Sequence, residues 1–260
     1  MEIPLYQIDA FAARPFAGNP AAVCPLAAWL PDATMQAIAA ENNLSETAFF
    51  VPAGDGHDLR WFTPAIEVDL CGHATLAAGF VIATYLAPGT TQMRFQTRSG
   101  PLGVGRRGDL FALDFPARPA RPCPPPAALI EGLGRQPSEI LAAEGNYLAV
   151  YPDEAEIRAL APEMGPLATL GRVGVIATAA GRDCDFVSRY FAPAFGIPED
   201  PVTGSAHCTL VPYWARRLGK TEMFARQVSR RGGELDCEDR GARVIIAGRA
   251  ALYLEGRIHV

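Results

Sequence analysis

Phe62–Gly79 reads FTPAIEVDLCGHATLAAG, and Phe191–Leu210 reads FAPAFGIPEDPVTGSAHCTL. Each passage runs from Phe-x-Pro through acidic residues to a Gly-x-Ala that opens an apolar helical stretch. Anchored on Gly72 and Gly204 they lie about half the chain apart, and the second is three residues longer between its Pro and its Gly. Short Gly- and Ala-rich strings can coincide by chance. The shared order of Phe-x-Pro, acid and helix-opening glycine points instead to duplication, in which two similar domains each carry one copy.

The surrounding sequence fits that reading. Alternating or β-branched runs predict strands at Ile3–Phe11, Ala21–Cys24, Thr47–Val51, Leu59–Phe62, Met93–Thr97 and Leu110–Asp114. A helix is predicted over Asp32–Glu41, with Asp32 as its cap and Met35, Ile38 and Ala39 as its apolar stripe. FPARPARPCPPPAA, residues 115–128, holds six prolines and no periodic apolar pattern, so it reads as a semi-rigid extended linker with the boundary near residue 118. The expected domains are 1–117 and 118–260, with a strand near 250–260 returning to the first. Beyond the linker the pattern predicts a helix around Ser138–Glu144, a strand at Tyr147–Val150, a helix from Asp153 and strands near Gly174–Thr178 and Asp185–Phe191. A helix over Gly204–Leu218 follows, with Leu210, Trp214 and Leu218 on one face, and Phe224–Val260 alternates as strands.

Composition removes several function classes. With 49% hydrophobic residues the 260-residue chain can bury a large core. A net charge of −5 and an isoelectric point near 5.4 argue against a nucleic-acid partner, which demands clustered Lys and Arg. No apolar run approaches a membrane span, and Met1–Ala10 lacks the basic and apolar regions of a signal peptide. The expected location is the cytoplasm. Six scattered cysteines without a CxxC pair predict reduced thiols, and four histidines without paired spacing give no local metal signature. No cofactor or metal is expected.

A helix that starts at Gly72 or Gly204 directs free backbone N–H groups at its approach, and such an end suits a carboxylate. Gly72, His73, Ala74, Gly204 and Ser205 are therefore candidate substrate-binding residues, and His73, Asp200 and Ser205 are candidates for polar catalytic work. A packed histidine, a turn aspartate before Pro201 and a first-turn serine would look the same in sequence. Glu46 lies in NNLSETAFF, where the apolar residues after it should carry a strand inward. Burial favours the neutral form of a carboxyl group, and one tuned in that way can take a proton from carbon and return it. A surface glutamate at a strand start would fit the same residues.

Four strings in order, Asp9–Phe11 with Gly18-Asn19-Pro20, then NLSETAF, DLCGHAT and EDPVTGSAH, resemble the PhzF-like family of isomerases over nearly the whole chain. The resemblance implies an α+β, diaminopimelate epimerase-like fold. In it two similar domains each wrap a curved sheet or barrel around a central helix, with the active site between them. By motif position Glu46 matches the family's general acid/base, while His73, Asp200 and Ser205 match residues that bind substrate and assist proton transfer. The implied activity is a cofactor-independent isomerisation of a small unsaturated or hydroxy carboxylic acid, similar to that of trans-2,3-dihydro-3-hydroxyanthranilate, by a homodimer. An amino-acid epimerase or racemase, or a non-catalytic metabolite-binding protein on the same scaffold, is the alternative. Related racemases use one cysteine from each domain. Here Cys71 precedes Gly72, but Thr203 precedes Gly204 and its hydroxyl is too weak an acid or base to replace a thiol.

Overall fold

The computed structural model describes all 260 residues and separates into two compact units, Met1–Asp114 with Ala247–Val260, and Phe115–Ile246. In the first unit the strands are β1 (Glu2–Ala10), β2 (Asn19–Pro25), β3 (Glu46–Ala53), β4 (Gly56–Phe62), β5 (Glu67–Val68), β6 (Gln92–Thr97), β7 (Gly100–Arg107) and β8 (Leu110–Pro116). The chain's last strand, β18 (Ala250–His259), pairs antiparallel with β1. From there the sheet continues through β2, parallel to β3, antiparallel to β4, parallel to β6, and on to β7 and β8.

This sheet must curve because of what it encloses. Helix α2 (Gly72–Val81), sequence GHATLAAGFV, has no polar face, and all of it but Gly72 and Phe80 is buried. A helix apolar all round needs cover all round. Gly79 allows the closest approach: a Cβ there would come within 2.9 Å of Val104 on β7. Helix α1 (Asp32–Asn42) lies on the other side of the sheet, where Met35, Ile38 and Ala39 close a core with Ile3, Leu5, Cys24, Phe49 and Phe62.

The second unit contains β9 (Arg121–Pro122), β10 (Glu139–Ala143), β11 (Asn146–Val150), β12 (Gly174–Ala180), β13 (Phe186–Ala192), β14 (Ile197–Asp200), β15 (Glu222–Gln227), β16 (Gly233–Asp239) and β17 (Arg243–Gly248). Its helices are α3 (Ala127–Leu133), α4 (Glu154–Ala159), α5 (Met164–Ala168) and α6 (Gly204–Leu218). The pairing repeats the first unit step for step: β10 antiparallel to β11, β11 parallel to β12, β12 antiparallel to β13, β13 parallel to β15, and β15 antiparallel to β16. The small strand β14 folds back on β13 as β5 does on β4.

The duplicated passage is held by the same device in both units. Arg60, two residues before Phe62, makes paired bonds of 2.7 and 2.8 Å to Glu67, five residues before Gly72. Arg189, two residues before Phe191, makes paired bonds of 2.7 and 2.9 Å to Glu199, five residues before Gly204. Each guanidinium also stacks over its own phenylalanine, at 5.2 and 5.0 Å. A planar fork suits the carboxylate and the ring at once. Each clamp fixes the turn that delivers the chain to its central helix.

Four expectations need correction. Asp32 does not cap α1: Pro31 holds the cap position without a side-chain bond, and the Asp32 carboxylate accepts from Arg60 at 2.9 Å. Ser138–Glu144 is not helical, because Glu139–Ala143 pairs along its length with β11 and the tertiary pairing overrides a weak local preference. Leu218 leaves the buried face shared by Leu210 and Trp214 and stands exposed at the end of α6. The proline run is extended but is not a free linker. The N–H groups of Ala117 and Arg118 donate to the carbonyls of Ala242 and Cys208 at 3.0 and 2.8 Å. Pro212 inside α6 has no N–H to offer the Cys208 carbonyl, and Arg118 supplies that missing donor.

Candidate active site

In the first unit, Glu46 is set by what precedes it. Asn43 ends α1 in the left-handed conformation, at φ 49°, which asparagine tolerates better than most residues. Three residues later Glu46 opens β3 opposite Ala21 of β2. His73 lies in the first turn of α2, and its Nε2 is 3.1 Å from Glu46 Oε2, with the two side chains only 7% and 12% exposed. The close approach is not an aligned hydrogen bond: Glu46 Oε2 is buried without a hydrogen-bond partner. The other face of the ring is also engaged, with Nδ1 3.3 Å from Asn19 Nδ2 and 3.5 Å from Cys71 Sγ. Asn19 in turn accepts from Ser45 Oγ at 3.3 Å.

Burial by itself lowers the His73 imidazole, but Cys71 and Glu46 outweigh it and hold the ring well above the usual histidine value. Burial pushes the Cys71 thiol up to about 11. That burial favours the neutral thiol, and Glu46 beside the ring favours the protonated imidazole. Glu46, Cys71 and His73 also place three potential metal-ligand atoms within 4.8 Å of one another. A metal in that position would need the thiol deprotonated, against the preference of its buried surroundings.

In the second unit the same turn is built differently. Gly204 opens α6, and Thr203, at the cap position, donates its hydroxyl to Asp200 Oδ2. Gln227, at the end of β15, holds the turn from below: its Oε1 accepts from Thr203 N–H at 2.9 Å and its Nε2 donates to the Asp200 carbonyl at 2.8 Å. His207 points Nδ1 at the Thr203 carbonyl, 2.9 Å away. Burial drives this imidazole down to about 4, partly offset by the Thr203 carbonyl. It is neutral and donates from Nδ1. Ser205 is half-buried on the first turn of α6. Neither central helix has a capping side-chain hydrogen bond at its start, so the backbone N–H groups of Gly72 and His73 and of Gly204 and Ser205 are not taken by the Cys71 or Thr203 side chain.

Thus the structure brings Glu46 and His73 together within the first unit and sets Asp200 and Ser205 beside Gly204 within the second. Sequence reading missed Asn19, Ser45 and Gln227 as supports. Asn19 and Ser45 stood inside the quoted strings, whereas Gln227 lies outside every motif and only strand pairing carries it to Thr203.

Matching the two halves shows what the second lacks. Thr47 faces Phe62 across β3 and β4, and Val175 faces Phe191 across β12 and β13, so Gly174 takes the place of Glu46. The space a side chain would need there is filled: a Cβ on Gly174 would fall 2.0 Å from Tyr190 Oη and 2.4 Å from Asn146 Oδ1, which are themselves hydrogen-bonded at 3.2 Å. By the same match Ser205 stands for His73 and Thr203 for Cys71. The carboxylate exists in one half only.

No helix is long and apolar enough to cross a membrane. The sequence profile of the phenazine biosynthesis-like protein family matches residues 8–256. An uncharacterised isomerase of Pseudomonas aeruginosa is 54% identical over 260 residues, all of both chains. The crystal structure of a PhzF-family phenazine biosynthesis protein from Enterococcus faecalis, 46% identical, superposes with a TM-score of 0.97 over the whole of both chains. A hydroxyproline epimerase from Agrobacterium vitis, 12% identical, shares the fold with a TM-score of 0.62 over 99% of this chain and 92% of its own. With its duplicated α+β architecture of the diaminopimelate epimerase-like type, the chain belongs to the PhzF family of phenazine biosynthesis-like isomerases.

Proposed function

We propose that this isomerase shifts a proton between two carbons of a small unsaturated or hydroxy carboxylic acid without a cofactor, with Glu46 as the acid/base. The observation that carries the reading is the buried Glu46 oxygen, 3.1 Å from His73 Nε2 and yet without a hydrogen-bond partner. A carboxylate so placed has a lone pair to spare for a carbon-bound proton, and the ring beside it restrains its position. In the proposed step Glu46 takes the proton and the C–H electron pair moves into the adjacent unsaturated system. Glu46 then returns that proton to a second carbon as the electrons shift, so no atom is lost or gained. In the first unit the helix start at Gly72 and His73 would bind the substrate, and in the second the start at Gly204 with Asp200 and Ser205 is the corresponding candidate binding turn. The reaction resembles the isomerisation of trans-2,3-dihydro-3-hydroxyanthranilate, the reference compound for a test.

A racemase would need a second acid/base on the opposite face of the carbon. Gly174 and Thr203 supply none in the second half. Proton NMR in deuterated water, with dihydro-hydroxyanthranilate and a panel of hydroxy and amino acids, tests the proposal. The expected result is carbon-bound exchange and product formation with one compound, lost by at least about a thousandfold in Glu46→Gln, which keeps the shape and removes the base. Equal exchange in both proteins would remove Glu46 from the role.

A further inference from the structure

Cys71 has no part in the proton shift proposed above, yet its buried thiol faces the two residues beside it that do. It holds the cap position of α2 and His73 lies in the first turn, so the Cys-x-His spacing sets thiol and imidazole together, with Sγ 3.5 Å from Nδ1 and 4.0 Å from Nε2. Strand β3 brings Glu46 to the same ring, its Oε2 3.1 Å from Nε2. One ligand atom from each of the three lies within 4.8 Å of the other two, and all three residues belong to the first unit. A tetrahedral zinc ion with its usual bond lengths holds N and O ligands about 3.4 Å apart and S and N ligands about 3.6 Å apart. The observed separations of 3.1 and 4.0 Å are close enough to these for small side-chain rotations to close the difference. The Glu46 oxygen is buried without a hydrogen-bond partner, so a metal could take its lone pair without breaking an existing bond.

We propose that Glu46, Cys71 and His73 form a binding site for zinc, and that zinc held there switches the isomerisation off; the switching-off rests on the acid/base role proposed for Glu46. Charge supports the assignment. One thiolate and one carboxylate balance the two positive charges of zinc, and the imidazole ligand is neutral, so the loaded site as a whole is neutral and suits a buried position. Burial opposes a lone thiolate at Cys71, but a coordinated thiol is held as the thiolate by the metal itself. Loading therefore exchanges protons for zinc. The thiol proton passes to solvent as the S–Zn bond forms, the ring binds through Nε2 after releasing any proton there, and no group is oxidised or reduced. Thiolate and imidazole select zinc over magnesium and calcium, which prefer oxygen ligands. Three protein ligands leave the fourth tetrahedral position to water. Zinc so held occupies the Glu46 lone pair that would otherwise accept a carbon-bound proton, so metal and proton shift exclude each other. Gly174, Thr203 and Ser205, at the corresponding places of the second unit, offer no such ligand set.

Cobalt titration of the full chain, stripped of metal by a chelator and kept reduced, tests the site. Tetrahedral cobalt replaces zinc and reports a bound thiolate by a near-ultraviolet charge-transfer band. One equivalent should raise the band, zinc should bleach it, and a large excess of magnesium should leave it unchanged. Cys71→Ser should abolish the band. Cys71→Ser and Glu46→Gln, each confirmed as folded by circular dichroism, should bind zinc at least about tenfold more weakly in competition with a chromophoric chelator. In the deuterium-exchange assay, zinc at the concentration that bleaches cobalt should slow the wild type by at least about tenfold, and the chelator should restore it. A wild type without the band, a band that survives Cys71→Ser, or zinc affinity unchanged in both variants would overturn the site. Undiminished wild-type exchange with zinc bound would overturn the switch. If Glu46→Gln exchanges as fast as the wild type, the acid/base role falls, while the cobalt band still decides the site on its own.

Discussion

His207 makes the stability of the second unit depend on pH in a way that one substitution should remove. The ring is fully buried against Phe186, its Nδ1 faces the Thr203 carbonyl, and its Nε2 has no partner. Burial holds the folded-state value down to about 4, against an ordinary 6.5 in the unfolded chain. As pH falls the unfolded state takes up the proton first. Stability from keeping this ring neutral is therefore whole above pH 6.5 and drains away as pH falls towards 4, by about 1.4 kcal/mol per pH unit. Between pH 7 and 5 the loss is about 2 kcal/mol, and by pH 4 about 3 kcal/mol. His73 does not mask it. Its raised value gives stability that is whole below pH 6.5 and fades at higher pH, and because His73 is unchanged in the variant this contribution cancels in the comparison. The comparison is His207→Gln, whose amide can still donate to the Thr203 carbonyl but does not titrate. Urea unfolding at pH 7, 6 and 5, followed by Trp214 fluorescence with Trp29 and Trp61 replaced by Phe, reads the unit that contains His207, because Trp214 stacks on Phe186 at 5.8 Å. Wild type should lose about 2 kcal/mol more than the variant over that range. Equal slopes in the two proteins would refute the assignment.

Two further changes test the duplicated architecture. Gly174→Ala drives a methyl group into Tyr190 Oη and Asn146 Oδ1. It should cost about 1–3 kcal/mol in urea unfolding, whereas an unaltered midpoint would show that the pocket filling the Glu46-equivalent place is slack. Arg189→Met strands Glu199 and releases the carbonyls of Ile157 and Leu160, which the guanidinium bonds at 3.2 and 2.7 Å. Because Glu199 keeps a quarter of its side chain in water, the expected loss is about 2–3 kcal/mol, below that of a fully buried pair, and Arg189→Met/Glu199→Gln should recover part of it.

What the sequence disclosed was whatever repeats or alternates. The duplicated passage and the apolar string after Gly72 were enough to expect two halves, each built around a helix. The Arg–Glu clamps escaped because the signal is a relation between residues seven or ten positions apart, Arg60 with Glu67 and Arg189 with Glu199, and charge at such spacing has no period of its own. Strand β7, GPLGVGRR, was invisible because three glycines weaken every strand signal in it, and its place is decided by β6 and β8 on either side. Ser138–Glu144 misled for the opposite reason, since Ile140, Leu141 and the alanines suit a helix locally while β11 offers a full ladder. At the candidate site Glu46 and His73 stood in recognisable strings. Their 3.1 Å approach did not, since it depends on how β3 lies over the start of α2.

The unequal fate of the two halves bears on the chemistry. Duplication begins with two equivalent turns, and here the clamps and the helix starts remain alike in both, so the scaffold has kept its symmetry. The candidate catalytic positions have not. Glu46 corresponds to Gly174, His73 to Ser205 and Cys71 to Thr203, and in each pair only the first member can exchange a proton readily near neutral pH or be tuned to do so. Inverting a stereocentre by proton exchange takes a donor on one face and an acceptor on the other, and drift of this kind would abolish it. Moving a proton from one carbon to another on the same face takes a single group that accepts and then returns it. The closed space at Gly174, sealed by the Tyr190–Asn146 bond, means that the second half is not merely short of a base. It has no room for one, so restoring a carboxylate by Gly174→Glu would have to displace a packed tyrosine rather than refill a vacancy. That asymmetry favours the one-base proton shift proposed for Glu46 over any two-base reaction on the same fold.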